Sequence, residues 1–168
     1  MEMYRTIKDF SEDWRRESLS TLRVFRALND TSLGQKVMPD GRSLGFLAWH
    51  ITLSLGEMGE QAGLNVISPA ENAPVPNNAH DIADAYNSAA QSIADQAKER
   101  WNDAALTEEI EMFGEKWKRG FALASLLRHQ THHRGQMTVL MRQAGLRVPG
   151  VCGSSREEWA KLGMPAMQ

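Results

Sequence analysis

Histidine is where this sequence concentrates its capacity for chemistry. His129 and His133 stand four apart in a segment dense in Leu and Met. On a helix that spacing puts both imidazoles on one face, about 6 Å apart along the axis. Such a pair can present two nitrogens to a single ion, as helical metalloprotease motifs do. It shares a stripe with Leu126, Met137 and Leu140, which should face the interior of a helical bundle. His50 lies midway along a second apolar segment, flanked by Phe46, Leu47 and Leu53. Ring nitrogens in such surroundings need partners, and one shared metal ion satisfies all three imidazoles at once. Taken singly, each is as readily a hydrogen-bonded core residue, and the residues alone leave both readings open. The remaining two of the five histidines are read differently. His132 is rotated off the pair by at least about 60°, as a rim, surface or subunit-contact residue. His80 reads as a solvated loop residue or part of a helix cap.

The elements that must position these side chains are helical. The first helix is expected from about Thr6 to Asn29, with Ile7, Phe10, Trp14, Leu22, Phe25 and Leu28 painting one face. The second runs from Ser43 as N-cap to about Gln61, stopped by Gly63, and is apolar nearly all round in its first half. A loop rich in Pro and Asn follows, long enough for a crossover. The third helix starts at the cap Asn78 and runs to about Asn102. From Glu108 to Phe113 polar and apolar residues alternate, which admits a short extended piece or hairpin. The fourth helix spans about Phe121 to Gln143 and ends on Ala144-Gly145. In the tail, Ser155 to Lys161 reads as a small helical stretch. The fold class expected is all-α, a four-helix bundle, with residues 1–168 as one domain.

Composition narrows the function classes. A net charge of −2 with scattered basic residues offers no nucleic-acid surface or polybasic membrane patch. The longest apolar stretch, Leu44 to Leu55, is too short and too polar to span a bilayer. No signal-peptide pattern is seen at the N-terminus. The single cysteine, Cys152, cannot make an internal disulfide, so a cytoplasmic setting is expected.

The stretch His129-Gln-Thr-His-His133-Arg134-Gly135-Gln136 resembles the H-x-x-x-H-R-G-Q signature of the DinB family of small four-helix proteins. Leu47-Ala-Trp-His50-Ile51 matches the family's first ligand segment, and the tail Gln143 to Gly150 with Gly153 to Trp159 is also similar. The resemblance covers essentially the whole chain. It implies an up-down-down-up bundle with a long crossover, metal binding by His50, His129 and His133, and a homodimer. Within the signature, Gln136 is expected to hydrogen-bond a ligand and Arg134 to form a structural salt bridge at the bundle end. Gly135 costs about 1 kcal/mol relative to Ala in a helix, which calls for a close neighbouring helix or room beside the site. Where the family often carries an aromatic residue, this chain has Cys152, read as an exposed thiol.

Three imidazoles leave coordination positions open, as in a catalytic zinc site. Imidazole suits Zn, Ni, Cu and Fe alike, and the resemblance puts zinc and nickel ahead. Glu57 follows His50 by seven residues, on the same face but about 10 Å along the axis, which favours the cavity wall over ligation; Glu60 and Gln61 are weaker candidates. The expected function is a metal-dependent enzyme acting on a small-molecule substrate with a low-molecular-weight thiol, of S-transferase or isomerase type, since coordinated thiols are deprotonated. The alternatives are a metal-dependent hydrolase and a non-enzymatic metal-binding stress or interaction protein. DNA repair, suggested by the family's damage-inducible name, lacks the basic face it would require.

Overall fold

The computed structural model describes residues 4–165. Four helices carry it: α1 (Ile7–Arg26), α2 (Leu44–Gln61), α3 (Ala79–Arg100) and α4 (Arg119–Gln143). The cap chemistry sets three of the starts. Thr6 accepts from the Asp9 amide at 3.0 Å, Ser43 from Phe46 at 3.1 Å, and Asn78 from His80 at 2.7 Å. The first helix stops at Arg26, earlier than its apolar stripe suggests, because Asn29 caps a separate turn of 3-10 helix, Asp30–Ser32.

Helix α1 packs against α3 and α4, and α2 packs against the same two, so the bundle closes as a ring in the order α1, α3, α2, α4. The Trp14 indole donates to the Ala90 carbonyl at 2.9 Å and Phe25 lies on Tyr86, so α1 and α3 run in opposite directions. Arg119 at the start of α4 donates to the Ala62 carbonyl just beyond α2, while His50 meets His129, so α2 and α4 are also antiparallel. The core fills with Phe10, Trp14, Phe25, Leu44, Ile51, Leu55, Ile82, Tyr86 and Ile93, all essentially inaccessible. The crossover loop is pinned by Trp49, whose indole donates to the Ala73 carbonyl at 2.8 Å. Val66 sits so close on Gly59 that a Cβ there would overlap it.

The alternating segment forms a hairpin, β1 (Glu109–Met112) with β2 (Glu115–Lys118), pairing Glu109 with Lys118 and Glu111 with Lys116 across the strands. Phe113 and Gly114 turn the chain with φ of 52° and 80°, the left-handed pair of a tight hairpin turn. The tail departs from the expected helix. Only the 3-10 turn Trp159–Leu162 forms, because Glu158 is tied back to the amides of Gly150 and Ser155 at 3.0 and 3.2 Å.

Arg134 forms the expected salt bridge, but inside the bundle rather than at its end. Its side chain is 2% exposed, with Nη2 2.6 Å from the Glu17 carboxylate and Nη1 3.0 Å from the Thr21 hydroxyl. One turn earlier on α4, the fully buried Gln130 accepts from the Tyr86 hydroxyl at 2.7 Å. These bonds fix the rotation of α4 against α1 and α3, and with it the face on which the histidines stand.

Gly135 corrects an expectation. It is exposed, and a Cβ built on it meets nothing within 4 Å, so neither a neighbouring helix nor the histidines need the space. Replacing Gly135 with Ala should therefore stabilise the protein by about 0.5–1 kcal/mol through helix propensity. Urea unfolding of the two proteins measures it, and a loss of stability would restore a packing role for the glycine.

Candidate metal centre

The three histidines come together from two antiparallel helices. His129 and His133 occupy one face of α4, one turn apart, and His50 faces them from the first half of α2. The Nε2 of His129 lies 3.2 Å from the Nε2 of His50 and 3.2 Å from the Nε2 of His133. Across the three residues the ligand nitrogens all fall within 4.8 Å of one another. Two nitrogens held about 2.0–2.1 Å from a zinc ion at a tetrahedral angle lie about 3.4 Å apart, so the cluster has the dimensions of one ion's ligand set. The donor chemistry fits as well. Three neutral imidazoles turned nitrogen to nitrogen can share at most a few protons, and a common cation pairs every lone pair at once.

Gln136 takes the expected supporting position. Its Oε1 is 2.8 Å from the Nδ1 of His133, where it accepts the ring N–H and leaves Nε2 free as a donor to metal. The other end of the same amide lies 3.2 Å from the Nε2 of His132, an exposed residue outside the triad. The Nδ1 of His129 is buried without a partner, so the whole of that ring's pairing falls on Nε2.

Burial keeps the rings neutral. The basicity of His129 is pushed down to about 4, first by burial and then by the neighbouring His133 and His50. His50 is lowered by burial, then by His133 and Arg42. His133 is lowered by burial, with the Gln136 hydrogen bond working in the opposite direction and His132 and Arg42 adding to the lowering. A site whose imidazoles resist protonation stays available to a cation below the pH at which free histidine would be charged.

Glu57 does not join the triad. It is exposed and lines a surface groove with Leu53, Glu60, Gln61 and Glu71. Among the described residues no carboxylate belongs to the group of converging ligand atoms. Cys152 is exposed, and its Sγ lies 3.9 Å from Nη2 of Arg134. His80 sits in the first turn of α3 with its Nδ1 3.2 Å from Asp84.

The sequence model of the DinB family matches residues 3–167. The chain belongs to the DinB family. It is 42% identical over 164 residues to the uncharacterized protein YrdA of Bacillus subtilis (strain 168), covering 98% of each chain. Among solved structures it is similar to a DinB-like protein of Bacillus cereus ATCC 10987, with a TM-score of 0.86 and 40% identity over 89% of this chain and 99% of that one. A DinB-like protein of B. subtilis, YjoA, shares the fold at a TM-score of 0.68 and 18% identity, over 85% and 97% of the two chains.

Two features of the surroundings went unread in the sequence. Arg42, Phe46 and His50 recur every four residues into α2, and Phe46 stacks on His50 with ring centroids 6.0 Å apart and planes 12° from parallel. The polar pairs Glu17 with Thr21 and Gln130 with Arg134 are also four apart, a signal that α1 and α4 carry polar groups on faces otherwise apolar.

The lowered basicity has a consequence for the metal-free protein. Unfolded histidine titrates near about 6.5, so on acidification the unfolded chain takes up protons before the native triad does. The stabilisation present above pH about 6.5 should be lost progressively as the pH falls towards about 4. Urea midpoints of the chelator-treated protein should drop over this range, and the drop should be shallower in His129→Ala. Equal pH slopes in the two proteins would refute the assignment.

Proposed function

We propose that this DinB-family protein holds one divalent metal ion, zinc or nickel, through the Nε2 atoms of His50, His129 and His133. The reading extends to an enzyme acting on a small molecule with a low-molecular-weight thiol. The observation that carries it is the meeting of three Nε2 atoms at ligand-to-ligand distances on a pair of antiparallel helices. When bound, the ion supplies Lewis acidity and lowers the proton affinity of a thiol or water on its open positions. The residues themselves orient and tune. Gln136 fixes the tautomer of His133, the buried Arg134–Glu17 pair holds the helix that carries two of the rings, and burial keeps the imidazoles unprotonated.

The thiol reading is supported by the family resemblance, and hydrolysis by a metal-bound hydroxide is the alternative that the same three imidazoles would serve. The apolar cluster joining the four helices is extensive without any metal, and three protein ligands leave coordination open, which supports a chemical centre first and a staple second. No helix of the described residues is long and apolar enough to cross a membrane.

Three outcomes test this reading. His129→Ala should lose stoichiometric metal by elemental analysis, whereas His132→Ala should keep it, since His132 is outside the ligand set; equal losses would mean that the wrong face of α4 has been chosen. Chelation should leave the helical circular dichroism intact at 25 °C while lowering the melting temperature by linkage. Cobalt placed in the site should then change its visible spectrum when small thiols are added. Collapse of the helices on chelation would refute the secondary structural role, and a cobalt spectrum indifferent to thiols would refute the thiol reading.

A further inference from the structure

The ground beside the triad is cationic and aromatic. Arg42 lies immediately before the cap of α2, with its guanidinium carbon 5.3 Å from the centroid of the Phe46 ring. Phe46 in turn stacks on the imidazole of His50. Phe46 is 39% exposed and Arg42 is exposed, so this stack forms the solvent-facing approach to His50. Among the described residues Arg42 makes no ion pair or hydrogen bond, and its guanidinium lies over the Phe46 ring. Other arginines of the chain are engaged differently: Arg134 pairs with Glu17, Arg119 with Glu108 and Arg142 with Glu157. A guanidinium resting over an aromatic ring keeps its N–H donors available to a ligand.

Resting on the thiol reading above, we propose that Arg42 is a specificity residue of the centre. It receives an oxyanion, in the first instance a carboxylate, on the same small thiol whose sulfur the triad's ion takes. The substrate class is therefore an acidic thiol. Arg42 is carried on the same turn-by-turn stack as His50, through Phe46, so its positive charge stands beside the approach to the triad. Phe46 adds an apolar surface for the carbon chain linking sulfur to carboxylate.

The test compares three thiols of similar length and different charge, namely mercaptopropionate, mercaptoethanol and cysteamine. Their binding to the cobalt-loaded protein is followed by the thiolate charge-transfer band, alongside zinc affinity by chelator competition. The wild-type protein should prefer mercaptopropionate to mercaptoethanol, with cysteamine weakest. In Arg42→Gln the preference for the acid should shrink roughly three- to tenfold at low salt, and Arg42→Lys should recover most of it. Mercaptoethanol should bind both variants as it binds the wild type, and zinc should bind Arg42→Gln at least as tightly. An unchanged preference in a zinc-binding Arg42→Gln would overturn the role of Arg42 alone. Failure of the wild type to bind zinc would overturn the metal reading and this role with it. Loss of affinity for all three thiols equally would show a merely structural effect and would also overturn it.

Discussion

Three imidazole nitrogens facing one another inside a helical bundle are an electrostatic demand that the rest of the structure has to meet. Neutral, they present lone pairs to one another with too few protons to go round. Charged, they repel at close range in a medium that screens poorly. Burial settles the balance on the neutral side, and at His129 the neighbouring His133 and His50 add to it. What remains is a concentration of lone pairs with one economical solution, a shared cation. The geometry is only as good as the relative placement of α2 and α4, since one ligand comes from the first and two from the second.

That placement is held by polar as well as apolar means. The apolar core fills the ring of four helices, yet apolar packing alone tolerates small rotations of a helix about its own axis. The buried chain running from Glu17 through Arg134 to Thr21, with Gln130 on Tyr86 beside it, does not. A rotation of α4 that moved the histidines would strand a buried guanidinium without its counter-charge, a penalty of about 3–5 kcal/mol in comparable pairs. His129 with Gln130, and His133 with Arg134, are neighbours in sequence on adjoining faces of one helix. One face carries the candidate ligands and the other anchors the helix.

Membership of the DinB family gives this arrangement a wider frame. The structural likeness at 18% identity speaks to the fold alone, whereas 42% identity over nearly the whole length ties the chain to its relative in sequence. The His129 to Gln136 signature now reads residue by residue: two rings of the triad, a buried anchor, an unpacked glycine and a hydrogen-bond acceptor behind His133. Four of these five parts have a physical reason on view. The glycine has none in its packing.

The sequence by itself determined the helical class, the caps at Ser43 and Asn78, a first helix starting near Thr6, an extended piece or hairpin before α4, and the candidacy of His50, His129 and His133. Those are local matters: a cap needs a side-chain oxygen next to its own helix, and an i, i+4 pair shares a face whatever lies opposite. Tertiary structure decided what lies opposite. It gave Glu57, already too far along the helix to ligate, a place in a surface groove with Ser68, Pro69 and Glu71 of the crossover loop. It carried Arg134 from a supposed bundle end into the interior, since its partner Glu17 is more than a hundred residues distant and no periodicity links them. In the tail a single 3-10 turn stands where a short helical stretch was expected, with the Glu158 carboxylate accepting from the nearby amides of Gly150 and Ser155. Local periodicity names the face of a helix, and only packing against the other helices fixes what that face meets.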